Sequence, residues 1–135
     1  MTGDAGTGIF ADPRNEQVDA LRFRAERAST QGEIQESRRL YAEAACLEQE
    51  LADCITRDHL RTRSVYAVSA AALWRRAEDR AHVIDVATHF LADRGALTTD
   101  AVDQLEGLLG WARGSGSLAD VRRAVRDPHV VPRAA

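Results

Sequence analysis

Lysine is missing altogether from these 135 residues, so all 18 basic side chains are arginine, against 21 acidic ones and a formal charge of -3. The bias points to GC-rich coding, and the acidic balance argues against a nucleic-acid partner. Two cysteines, three prolines, three phenylalanines, two tyrosines and two tryptophans complete the scarcities. They exclude a disulfide-stapled scaffold and any collagenous or proline-rich architecture. No stretch approaches the roughly 18 consecutive apolar residues of a membrane span. Residues 1–13 lack the basic start and apolar run of a secretory leader, so the cytoplasm is the expected compartment and no membrane partner is expected.

What the chain has in quantity is alanine, 24 times, within a 44% hydrophobic total. Alanine is the strongest helix former, so the average residue favours helix. Asp12 and Pro13 mark a helix start, and Val18, Leu21, Ala25 and Ala28 follow at three- and four-residue steps to about Thr30. After Gly32, a second helix from Glu33 to about Arg57 carries Leu40, Ala44, Leu47, Leu51, Cys54 and Ile55 on one stripe. Cys46 and Cys54 stand eight residues apart on it, about 12 Å along the axis. They cannot bridge while the helix persists and are expected as small core fillers.

A third helix over about 60–77 is apolar nearly all round at its centre (65–74), which predicts burial on several sides. Glu78 and Asp79 open a fourth, with Val83, Ile84, Val86, Ala87, Phe90 and Leu91 inward. Thr98 and Asp100 open a fifth, with Ala101, Val102, Leu105, Leu108, Leu109 and Ala112 inward. Gly107 and Gly110 weaken it. Ser117 to Pro128 predict a short sixth helix with Leu118, Val121 and Val125 on its apolar edge.

A shift of 46 residues aligns the first helix pair with the second: Ala25 with Ala71, Ala28 with Trp74, Leu40 with Val86, Ala45 with Leu91, and the turn 31–33 with 77–79. With its small residues and Gly-Glu turn, the pattern over residues 18–93 resembles the tetratricopeptide (TPR) repeat. It departs from that family in its period, which is about 34 residues there, in Glu78 where glycine is expected, and in lacking a closing proline. The resemblance implies an all-α fold of antiparallel helical hairpins, two TPR-like repeats plus C-terminal capping helices, five or six helices in all. Residues 1–11 are expected as a flexible N-terminus, 12–113 as the helical domain and 114–135 as a short capping helix and tail.

The resemblance also implies an inner surface that receives peptides or partner helices. Asp19, Arg22, Phe23 and Glu26 would lie on it in the first repeat, and Val65, Val68, Ser69, Ala72, Arg75 and Arg76 in the second. The expected role is a non-catalytic adaptor for a protein partner, either the product of a neighbouring gene or a second copy in a homodimer. Trp74 or Phe23 would act as anchor, with Arg75 and Arg76 setting orientation. No cofactor and no catalytic residue is expected. Two alternatives stand beside it. His82, Asp85 and His89 share a helix face and could serve a metal-binding or enzymatic protein. Arg57, Arg61, Arg63, Arg75, Arg76 and Arg80 could serve a nucleic-acid-binding regulator.

Overall fold

Asp12 and Pro13 start the first helix as their chemistry requires. In the computed structural model, which describes residues 8–114, Asp12 Oδ1 accepts the Arg14 amide at 2.9 Å and Oδ2 pairs with the Arg14 guanidinium at 2.8 Å. That guanidinium holds the Asp12 carboxyl down at about 2. Five α-helices follow: α1 (Arg14–Thr30), α2 (Ile34–Cys54), α3 (Leu60–Arg76), α4 (Arg80–Leu91) and α5 (Thr99–Ala112). Single 3-10 turns cover Ile9–Ala11 and Arg94–Ala96. No strand occurs among the described residues, so the fold class is all-α. No described helix is long and apolar enough to cross a membrane.

The termini of these helices follow from local chemistry. Asp79 accepts the His82 amide at 3.0 Å and Thr98 accepts the Ala101 amide at 3.1 Å, each satisfying an N–H that the first turn leaves unpaired. The predicted sixth helix lies outside the described residues. Of the expected flexible stretch 1–11, the described part is docked: Ile9 is buried and its carbonyl accepts Asn15 Nδ2 at 2.7 Å.

α1 packs on α2, α2 on α3, and α3, α4 and α5 pack on one another. Short turns make α1/α2 and α3/α4 antiparallel hairpins, with α5 closing against the second. The two hairpin turns use the same bonds at an offset of 46 residues. Gln31 N–H to Arg27 O, Gly32 N–H to Ser29 O, Glu33 N–H to Ala28 O and Ser37 N–H to Glu33 O correspond to bonds in the second turn. Those run from Ala77 to Leu73, Glu78 to Arg75, Asp79 to Trp74 and Val83 to Asp79. Each turn is a helix stop with one left-handed residue, Gly32 at φ 79° and Glu78 at φ 57°. Core positions coincide too: Ala25 and Ala71, Ala28 and Trp74, Leu40 and Val86, Tyr41 and Ala87, Ala44 and Phe90 are all buried.

The cysteines differ from expectation. Both are exposed free thiols. Cys46 stands one residue past the buried pair Ala44 and Ala45, and Cys54 follows the buried Leu51 and Ala52 by a half-turn that points outward.

Glu78 carries the strain that Gly32 avoids, since a left-handed conformation costs an L-residue about 1–2 kcal/mol. Its exposed ion pair with Arg38, 2.9 Å, offsets little of that. Glu78→Gly is therefore expected to stabilise the fold by about 0.5 kcal/mol once glycine's chain entropy is subtracted, and Gly32→Ala to destabilise it by about 1 kcal/mol. Urea unfolding of the two variants checks both signs.

Candidate functional site

The α3 helix places Val65, Val68, Ser69 and Ala72 on one side because residues three and four apart share a helix face. Their burial is incomplete: Val68, Ser69 and Ala72 are half-buried and Val65 is 66% exposed, while the opposite side of the helix is core. A groove of about 550 Å³ runs along this face, bounded by Val65, Val68 and Ser69 of α3 and by Thr98, Ala101 and Gln104 at the start of α5. Arg61 and Asp100 also line it, one cation and one anion beside an apolar floor. The Ser64 hydroxyl fixes the seam by accepting the Thr98 amide at 2.9 Å.

On the α1 side, Ser69 hydrogen-bonds the carboxyl of Glu48, which comes from α2 and is 8% exposed. Burial pushes the Glu48 carboxyl up; the Ser69 bond and the Arg22 charge pull it down and Asp19 pushes it up again, with burial prevailing. Next to it, Tyr66 Oη donates to Asn15 Oδ1 at 2.7 Å and stands 6.3 Å, ring to ring, from the exposed Phe10. Burial, followed by the Glu48 charge, raises the Tyr66 phenol. The buried acid of α2 is thus bonded by Ser69 of α3 and feels the charge of Arg22 on α1.

The structure gathers Val65, Val68 and Ser69 in the groove, with Ala72 half-buried on the same helix, and leaves Arg22 exposed on α1, near enough to Glu48 for its charge to act there. Phe23 is 60% exposed but borders a separate shallow depression with Glu26, Arg27, Thr30 and Gln31. Trp74 is not a surface anchor. It is 4% exposed and stacks on the His82 ring at 4.0 Å, because its register partner is the core residue Ala28. Nor do Arg75 and Arg76 act together. Arg75 lies over the Trp111 ring at 5.1 Å and Arg76 over Tyr41 at 5.7 Å, on opposite flanks of α3. Gln104 and Glu48 escaped the sequence altogether, Thr98 and Asp100 were read only as a helix start, and Arg61 only as part of the basic group. The one available signal was the polar N-terminal turn of the fifth helix beside an apolar third helix.

The residues of the two alternatives are drawn apart. His82 Nδ1 meets Asp79 at 2.7 Å, and His89 Nε2 meets Asp53 of α2 at 3.0 Å. Asp85 joins neither pair, and among the described residues no three His, Cys, Asp or Glu side chains gather as a metal site would require. Burial works against the Asp79 charge, yet the amide and ring of His82 outweigh it and hold the carboxyl below its ordinary value. The arginines disperse likewise. Arg57 pairs with Asp93 at 2.8 Å, Arg63 donates to the Ile55 carbonyl and lies over Phe90, and Arg80 sits over Trp111 and donates to its carbonyl. Arg61 alone of that group lines the groove.

No family model, curated protein or solved structure matches this chain.

Glu48 gives a pH signature. Because folding raises its carboxyl above the unfolded value, the folded state favours the neutral acid, and the contribution present at low pH is lost as pH rises through the folded value. Glu48→Gln, which keeps an acceptor for Ser69, is expected to be more stable than the parent at neutral pH. The difference should fade as pH falls below about 4; parallel urea titrations at the two pH values check it.

Proposed function

We propose that the chain is a non-catalytic protein-interaction module, built on two TPR-like hairpins, whose α3/α5 groove receives an extended segment of another protein. The single observation that carries this reading is Val65, two-thirds exposed beside the half-buried Val68 and Ser69 on one face of α3 and open to a groove of about 550 Å³. An apolar side chain there is costly to leave wet, and covering it gains about 25 cal/mol per Å² of apolar surface. The recurring turn bonds and matched core positions of the two hairpins support the TPR-like part of the reading. In such repeats the first helices of successive hairpins share one wall, the wall on which Val65, Val68 and Ser69 stand.

The groove chemistry specifies its occupant in outline. Val65, Val68 and Ala101 accept an apolar residue, while Arg61 and Asp100 accept an acidic and a basic neighbour. With the exposed Val65 and the half-buried Val68 as its floor, the groove offers breadth rather than a deep anchor pocket. The resulting affinity is expected in the micromolar range.

Selection from a displayed random-peptide library tests the proposal. The chain is expected to enrich extended sequences with an apolar residue between opposite charges. Val65→Asp, a surface change expected to alter stability by no more than about 0.5 kcal/mol, should weaken the selected peptides at least tenfold, about 1.4 kcal/mol. Enrichment of nothing, or peptides indifferent to Val65→Asp, would overturn it.

A further inference from the structure

Superposing the register of the two hairpins exposes an asymmetry. Tyr66, Ala70, Leu73 and Ala77 form a stripe on α3 and its exit that is buried throughout. Their counterparts at the 46-residue offset are Ala20, Arg24, Arg27 and Gln31, all exposed. The α3 stripe is covered because α3 packs on α2 of the first hairpin. Tyr66 bonds Asn15 of α1, and the neighbouring Arg63 donates to the Ile55 carbonyl beyond α2. The first hairpin has no hairpin before it among the described residues, so the same face of α1/α2 is bare.

That bare face is shaped to receive something. It holds a groove of about 580 Å³ lined by Ala20, Leu21, Cys46 and Leu47, with Arg24 and Glu43 at its margins. Leu21 and Leu47 remain only partly buried although both belong to the hydrophobic core cluster's edge. The charges are biased by helix. The α1 margin carries Arg24 and Arg27 and the α2 margin Glu36, Glu43 and Glu50; Arg39 bonds Glu36 and Glu43, Arg14 pairs with Glu50 at 3.4 Å, and the Arg24 charge acts on Glu36 without bonding it.

A basic strip beside an acidic strip on one face is self-complementary. Under a twofold axis, α1 of one copy meets α2 of the other, and each arginine–glutamate contact occurs twice. We propose that the α1/α2 face is the seat of a second copy of this chain, docked about a twofold axis that sets Arg24 against the partner copy's acidic α2 margin. The four helices would then form an antiparallel bundle that covers Leu21 and Leu47 as the first hairpin covers the second. Head-to-tail stacking would instead leave one such face open at the end of every assembly, giving filaments rather than a closed pair.

Cys46 lies in this groove and reports on it directly. In a Cys54→Ser background, a short bismaleimide is expected to join Cys46 to its copy; burial and the Glu50 and Glu43 charges push that thiol up, so the reaction is run at alkaline pH. Sedimentation should show a dimer. Arg24→Glu and Glu43→Arg should each weaken it at least tenfold, and the two together should restore it, with helical circular dichroism confirming that each variant is folded. A monomer at all concentrations, a ladder of higher oligomers, or a dimer indifferent to these changes and without a Cys46 cross-link would each overturn the proposal. The test is separate from the peptide reading, because Arg24→Glu leaves the Val65 groove intact and Val65→Asp leaves this face intact.

Discussion

How closely the helices approach decides nearly everything else in this structure, and alanine sets that approach. Ala25, Ala44, Ala45, Ala52, Ala67, Ala70, Ala71 and Ala87 are fully buried where one helix crosses the next. Alanine loses no side-chain entropy on burial, and its small side chain lets neighbouring backbones gain dispersion contacts directly. It also removes little apolar area from water, so the larger share of hydrophobic stabilisation falls to Leu40, Leu51, Ile55, Phe90 and Leu105. Close approach in turn demands tight connections. The left-handed stops at Gly32 and Glu78 turn the chain within three residues, at the cost of strain at Glu78.

The same constraint explains what could be read from the sequence. Helix ends were legible because Asp12, Asp79 and Thr98 act through bonds two or three residues away. Core alanines were legible from their spacing. The cysteines were misread because a stripe of three- and four-residue steps leaves the boundary between inward and outward positions undefined by about one residue. Trp74 illustrates a different failure: its alignment with the core residue Ala28 already placed it inside, and aromatic character alone suggested an anchor. Nothing local could have shown Arg75 and Arg76 diverging, since their acceptors, Trp111 and Tyr41, stand 36 and 35 residues away. The groove was half legible. Val65, Val68 and Ser69 are on it, but its other wall depends on α5 folding back beside α3.

Arginine, the only strongly basic side chain available, stabilises the seams between helices. Arg57 to Asp93 and Arg38 to Glu78 tie the end of α2 and its beginning to the second hairpin. Arg75 and Arg80 enclose Trp111, so α5 is fastened to α3 and α4 through planar contacts that a compact ammonium makes less well. Exposed ion pairs contribute little each. The arginines at the inner seams bridge helices, whereas Arg24 and Arg27 stand on an edge that no other hairpin covers among the described residues, Arg27 lying over its own helix's Phe23 at 5.9 Å.

Two faces left open among the described residues have a joint consequence. The α3/α5 groove and the α1/α2 edge are lined by different residues on different helices, so occupying one leaves the other open. Pairing two copies through α1/α2 would therefore produce an assembly with two identical grooves. A shallow groove that bound as weakly as proposed would gain most from such pairing, because a second attachment to the same partner becomes intramolecular and can strengthen overall binding by two or more orders of magnitude without a new contact. If the groove binds as proposed, then with the small alanines spent inside the helix crossings and few deep anchors outside, doubling the groove is a more accessible route to tight binding than deepening it.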